Sequence, residues 1–240
     1  IPRELKEALE IRNGGASRRD FLKTSGLIVV SFGVTATDAG RLVLATGVDG
    51  AQEPGAGPYP DPDFRQLDSW IVIHRDNTAT FYVGKTDCGQ GTGTAFRQMM
   101  ADELDIGYDS TSVVMGSTDV TPDQGGSGGS DAIQQDGWPM RRVAAEARRI
   151  LLALAAERFG VPVDLLSVNE AVVSMTSDPS RKVTYAELIG GQRFDVNLRG
   201  RTVNETTGVA KVKPVDALRI VGQSPMRFDI PPKVDGSLIW

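Results

Sequence analysis

Gly84-Lys85-Thr86-Asp87-Cys88-Gly89-Gln90-Gly91-Thr92-Gly93-Thr94 is the stretch on which the fold turns. Before it stand Ser69-Trp70-Ile71-Val72-Ile73-His74 and Thr78-Ala79-Thr80-Phe81-Tyr82-Val83, rich in β-branched and aromatic residues. The turn cluster Arg75-Asp76-Asn77 separates them, so a β-hairpin is predicted. After it, Phe96, Met99, Met100 and Leu104 recur at helical spacing. They predict a helix over about 95–105, with Thr94 as its N-cap. A strand, a glycine-rich loop and a helix start make a general anion-binding geometry, in which free N–H groups and the helix dipole face the ligand. The glycine spacing is neither G-x-G-x-x-G nor a Walker motif, so the usual nucleotide folds are not supported.

A second loop follows the strand Thr111-Ser112-Val113-Val114-Met115-Gly116. Ser117-Thr118-Asp119-Val120-Thr121-Pro122-Asp123-Gln124-Gly125-Gly126-Ser127-Gly128-Gly129-Ser130 is almost devoid of apolar residues. A flexible linker is one reading of it. The next segment argues against that. Asp136 is placed to cap a long helix over about 137–158, with Pro139 in its first turn. Val143, Ala147, Ile150, Leu151 and Leu154 form the buried stripe, Arg142 and Glu146 an i,i+4 pair outside it, and Gly160 and Pro162 the stop. A loop wedged between a buried strand and a buried helix is better read as a second phosphate cradle. Arg141, Arg142, Arg148 and Arg149 read as a solvated face, as do the carboxylates Asp102, Glu103 and Asp105. Cys88 reads as a small apolar filler under the loop, and His74 as a partly exposed strand-end residue.

Composition narrows the function classes. The chain has 240 residues, enough for one or two domains at about 150 residues each. Its net charge of −5 argues against a general nucleic-acid binder. With one Cys and one His, an internal disulfide is impossible and a zinc site is not expected. An iron–sulfur cluster held by this chain alone is excluded as well, because such a cluster needs about four thiolates. No Ser/His/Asp set or other complete catalytic constellation is present, so the chain reads as a cofactor-cradling scaffold.

The ends add context. Ser17-Arg18-Arg19-Asp20-Phe21-Leu22-Lys23 precedes an apolar run over about 26–36, the pattern of a twin-arginine export signal. That run is too short to span a bilayer, which takes about 20 residues. Cleavage is unsettled, because no clean Ala-x-Ala site follows. The expected location is periplasmic after export in the folded state, with membrane association through a partner or an uncleaved signal as an option. Residues 48–63 are a Pro/Gly linker. The chain opens on Ile1 and stops at Trp240, in what reads as a strand at 237–240. The natural polypeptide is expected to continue or to be split into more than one chain.

The two loops, taken in order with Ala101-Asp102-Glu103-Leu104, make the chain similar to the molybdopterin-binding large subunits of the xanthine dehydrogenase and aldehyde oxidase family. Within that family it most resembles the isoquinoline 1-oxidoreductase and nicotinate dehydrogenase type. The stretch Val221-Gly222-Gln223-Ser224-Pro225-Met226-Arg227-Phe228-Asp229-Ile230-Pro231-Pro232-Lys233-Val234-Asp235-Gly236 resembles the entry to that family's hammerhead domain. The resemblance implies cofactor contacts at Gly89, Gln90 and Gly91, and at Ser127, Gly128, Gly129 and Ser130. It implies molybdopterin with molybdenum, in the cytosine dinucleotide form, and no protein ligand to the metal. It implies a 2Fe–2S partner subunit, the remainder of the large subunit or a second molybdopterin-binding chain, and in some members a c-type cytochrome. The implied reaction is oxidation of an aldehyde or N-heteroaromatic carbon with water as the oxygen source. The family's catalytic glutamate has no counterpart here, so this chain is expected to act only with the rest of a complex. An exported non-catalytic binding module is the alternative. The expected fold is α+β: a mixed sheet with helices on one face. The expected domains are 1–47 (export arm), 48–63 (linker), 64–215 (part of the cofactor-binding domain) and 216–240 (start of the hammerhead-like domain).

Overall fold

A computed structural model describes residues 62–237 of the chain. The twin-arginine stretch, the apolar run and nearly all of the linker lie outside the described residues. So does the strand expected at 237–240, apart from Ser237.

The hairpin forms as its pattern predicts. β1 (Ile71–Ile73) pairs antiparallel with β2 (Ala79–Val83), Ile71 opposite Phe81 and Ile73 opposite Ala79. The Asp76 carboxylate accepts hydrogen bonds from the Thr78 N–H and hydroxyl, and Asn77 takes the left-handed conformation, which fixes the turn. Helix α1 (Thr92–Leu104) then crosses over to β3 (Thr111–Met115), which lies parallel to β2 with Ala79 opposite Thr111 and Val83 opposite Met115. A parallel neighbour requires such a crossover. The result is a mixed three-stranded sheet in the order β1-β2-β3. Ile71, Ile73, Phe81 and Val83 are buried, while Val72, Thr80 and Tyr82 between them are half-buried, the period-2 signature of a sheet with one covered face.

A single turn, α2 (Asp131–Gln134), precedes the long helix α3 (Gly137–Phe159). Val143, Ala147 and Leu151 are fully buried along its stripe, with Ile150 and Leu154 at the margin. Gly160 closes α3 in the left-handed conformation, as its position predicts.

A second sheet was not legible as a pattern. β4 (Leu166–Asn169), β5 (Val172–Met175) and β6 (Lys182–Thr184) form an antiparallel meander. Its first turn uses Glu170 and Ala171, both at positive φ. The short helix α4 (Tyr185–Ile189) follows, with Thr184 and Glu187 forming a capping box. The last element is α5 (Ile230–Asp235). The architecture is α+β, as expected.

Candidate functional site

The two glycine-rich loops lie side by side. The Gly84 N–H donates to Gln124 Oε1 at 2.8 Å, Lys85 Nζ to the Gly126 carbonyl at 2.8 Å, and the Thr86 N–H to Ser127 Oγ at 2.8 Å. Three consecutive residues of the first loop therefore grip the second. Gly84 permits this approach, since a Cβ there would fall on the Pro122 carbonyl oxygen and 2.8 Å from the Gln124 nitrogen. Lys85 is only 4% exposed, and its ammonium also meets Asp136 Oδ2 at 3.0 Å. Asp136 stands at the N-cap position of α3 but its side chain makes no capping bond, contrary to expectation. Its carboxylate pairs with Lys85 instead, because a buried ammonium needs a counter-charge. Burial pushes the Asp136 carboxyl up, against the pull of Lys85.

The start of α1 also differs from expectation. The helix begins at Thr92 behind an N-cap Gly91 at φ 87°, and Thr94 is buried inside the first turn. Asp87 does the capping. Its carboxylate accepts from the N–H groups of Gly89 (2.9 Å), Gly91 (3.1 Å) and Gly93 (3.1 Å). Burial opposes the Asp87 charge, but these donors and the Arg227 guanidinium outweigh it and hold the carboxyl below its usual range. The anion expected at this helix start is thus a side chain of the protein itself. Gln90 lies between the bound glycines and is exposed. Among the described residues its Nε2 reaches only Thr92 Oγ1, at 3.5 Å.

The second loop has the opposite character. The N–H groups of Gly126, Ser127, Gly128, Gly129 and Ser130 make no hydrogen bond among the described residues, and all five residues are exposed. A Cβ at Gly126 or Gly128 would meet nothing within 4 Å, and neither glycine lies at positive φ. No contact or backbone angle among the described residues requires glycine there. Behind the loops, Thr94 Oγ1, Gln124 Nε2 and Asp131 Oδ1 are buried without a partner among the described residues. A bare backbone with free donors fits a phosphate-bearing group, and the Gly89–Gly91 turn fits a neutral amide contact through Gln90. Ser127 is tied to Thr86, whereas no hydrogen bond links Gln90 to 127–130.

Several residues predicted to be solvated are not. Asp102 is 3% exposed and accepts from the N–H groups of Arg219, Ile220 and Val221. Glu103 accepts from the Lys213 N–H and pairs with Arg141 at 2.5 Å. Asp105 pairs with Arg148 and Lys213. Glu146 bonds Arg149 and the N–H groups of Val209 and Ala210, not Arg142, whose guanidinium donates to the Asn204 carbonyl. These carboxylates seat an irregular segment over 209–221 that has no periodicity for a sequence reading to find. Cys88 is exposed instead of buried under the loop, since Asp87 is the side chain that turns inward. His74 is half-buried at the strand end as expected, with Nε2 2.8 Å from Thr80 Oγ1.

Arg227 also escaped the sequence reading. Its Nη1 donates to the Gly89 carbonyl at 3.0 Å, while Nε and Nη2 form a fork on Asp229. The adjacent Phe228 ring stands 3.1 Å from where a Gly93 Cβ would lie. A partner 138 positions away leaves no local signal.

Comparison with known proteins adds the following. Residues 30–219 match the family described as Molybdopterin cofactor-binding domain. The chain is 31% identical to a nicotinate dehydrogenase subunit of Pseudomonas putida over 192 residues, covering 78% of this chain and 15% of that protein. It is 26% identical to the beta subunit of isoquinoline 1-oxidoreductase from Brevundimonas diminuta, covering 93% of this chain and 31% of that protein. Quinoline 2-oxidoreductase from Pseudomonas putida 86 superposes with a TM-score of 0.44 and 21% identity, over 49% of this chain and 15% of that one. The chain thus spans less than a third of the curated relatives it matches.

Proposed function

The chain belongs to the molybdopterin cofactor-binding domain family, among the molybdopterin-binding subunits of the xanthine dehydrogenase and aldehyde oxidase type, and from that premise we propose that its two interlocked loops form one part of a molybdenum-cofactor cradle. The observation that carries this is the bare backbone of Gly126 and Gly128, which nothing among the described residues explains. In this reading the N–H groups and hydroxyls of Ser127, Gly128, Gly129 and Ser130 receive the phosphate oxygens of the cofactor. Neutral donors suit an anion in a protein of net charge −5. Gln90, between Gly89 and Gly91, offers its amide toward the pterin side. The bound cofactor supplies the redox chemistry, and the protein supplies position and a fixed set of donors. Lys85 holds the first loop, the second loop and Asp136 in one arrangement before any ligand arrives, so little ordering cost remains at binding.

The wider assignment extends the same proposal. The assembled enzyme oxidises an aldehyde or an N-heteroaromatic carbon with water as oxygen source, and the dinucleotide form is cytosine. Electrons leave through a 2Fe–2S subunit and, in one arrangement, a c-type cytochrome. The remainder of the large subunit, or a second molybdopterin chain, completes the site. The Ser17–Lys23 stretch supports folded export to the periplasm.

The test compares the native assembly with Gly126→Ala and Gly128→Ala. Molybdenum per chain is measured by elemental mass spectrometry and the melting temperature by calorimetry. Molybdenum is expected near one per chain in the wild type and about tenfold lower in the variants, the scale of one or two lost or displaced backbone contacts. The melting temperature should stay close to the wild-type value. A wild-type assembly without molybdenum, or variants that keep it in full, would overturn the proposal.

A further inference from the structure

We infer that Arg227 is a positioning residue for the Gly89-Gln90-Gly91 turn, so that the segment around 227–233 sets how Gln90 meets the cofactor. This rests on the proposed cradle and deepens it. The turn is gripped from two sides. Asp87 takes the N–H groups of Gly89 and Gly91, and Arg227 takes the Gly89 carbonyl at 3.0 Å. The guanidinium also lies across Gly91, whose absent Cβ would stand 2.9 Å from Nη1 and 3.1 Å from Cζ. The φ of 87° favours glycine at 91, and the absent side chain leaves the guanidinium room to lie this close.

Arg227 is itself held. Asp229 accepts its Nε at 3.0 Å and its Nη2 at 2.6 Å, and Lys233 Nζ reaches Asp229 Oδ2 at 2.6 Å. Such a fork fixes the guanidinium plane, which a single ammonium cannot do. Phe228 closes the same side, against Gly93 and over Arg97, whose guanidinium carbon lies 5.4 Å from the ring centroid. Gln90 has no strong side-chain bond of its own, so the backbone on either side decides where its amide points. Arg227 and Asp229 are partly buried but still reach solvent, and ion pairs screened by solvent contribute little to overall stability. Arg227 therefore matters for the orientation of the turn more than for holding the chain together.

The experiment uses the native assembly carrying Arg227→Ala, Arg227→Lys, Gln90→Ala and the Arg227→Ala/Gln90→Ala double variant. Hydrogen–deuterium exchange is followed at the amides of Gly89, Gly91 and Gly93, and molybdenum per chain is measured in parallel. In Arg227→Ala the exchange should be roughly tenfold faster, the scale of losing one charge-assisted hydrogen bond. Molybdenum should fall severalfold. Arg227→Lys should lie between, since lysine can serve Gly89 or Asp229 but not both as a fork. In the Gln90→Ala background, Arg227→Ala should lower molybdenum no further, because its effect passes through Gln90. Unchanged exchange in Arg227→Ala, or an equal molybdenum loss in both backgrounds, would overturn the inference. If Arg227→Ala does not assemble, Arg227→Lys decides by the same exchange readout. A wild type without molybdenum would overturn the cradle, and exchange would still decide whether Arg227 orders the turn.

Discussion

Gly84 and Gly126 are both glycines of the interlocked loops, yet they are glycine for different reasons. At Gly84 the second loop leaves no room, because a Cβ would strike the Pro122 carbonyl. Gly84→Ala must push residues 122–124 away and break the hydrogen bond to Gln124. We expect a stability loss of about 3 kcal/mol, the upper range for overpacking, read as a lower denaturation midpoint of the assembly. A midpoint matching that of Gly126→Ala would show that the two loops are not locked. Asp87 illustrates the same scale from the polar side. One carboxylate satisfies three N–H groups that a phosphate would otherwise be free to take. The loop that opens α1 is thus the internally satisfied one, and the 126–130 loop keeps its donors free among the described residues.

Among the elements, α1 works in two directions. Phe96, Met100 and Leu104 enter the core, while Gln98, Asp102 and Glu103 reach back to hold the segment between 213 and 223. Asp102→Asn leaves one acceptor oxygen and adds two donors where three N–H groups converge. It should release residues 219–221 and raise protease cleavage there at least severalfold, the scale of one to two lost charged hydrogen bonds. Unaltered cleavage would show that Asp102 is not what seats the segment. The sequence makes α1, α3, the hairpin and both loops legible because periodicity and glycine clusters are local signals. The β4–β5 turn was invisible because Glu170 and Ala171 adopt φ of 48° and 56°, where Asn or Gly would announce a hairpin. Tertiary bonds hold it there instead: the Ala171 N–H donates to the Asp105 carbonyl, and the Ala171 carbonyl accepts from Tyr185. Asp102 and Glu103 were misread as solvated for the same kind of reason, since the main-chain N–H groups they hold lie more than 100 positions away and Arg141, the other partner of Glu103, lies on a different helix. Asp87 was the one recoverable miss: an acidic residue shortly before a helix start is a capping signal, and Thr94 distracted from it.

At the scale of the whole molecule, four carboxylates, Asp87, Glu146, Glu103 and Asp136, fall into two groups of opposite sign. Burial opposes the charges of Asp87 and Glu146, but their donors prevail and both titrate below their ordinary values. Their stabilisation is complete above the unfolded values of about 4 and is lost as pH falls through the folded ones. Burial dominates at Glu103 and Asp136, which titrate above their ordinary values. Those two cost stability at neutral pH, and the cost is relieved as pH falls through their folded values toward about 4. The melting temperature should therefore peak in mild acid, then drop below about pH 4. Asp87→Asn should flatten the acid limb, and Glu103→Gln the decline toward neutrality. A melting temperature that rises steadily from mild acid to pH 8 would contradict this balance. The seating of residues 209–221 carries one more consequence. Asp102 and Glu146 grasp main-chain N–H groups of Val209, Ala210, Arg219, Ile220 and Val221, groups that nearly every amino acid possesses. Apart from Lys213, which pairs with Asp105, and Ile220, which packs against the core, the segment's side chains are thereby left free to drift. Its interactions with neighbours can be rewritten over evolutionary time without unseating it, and proline is the one residue that the grip forbids.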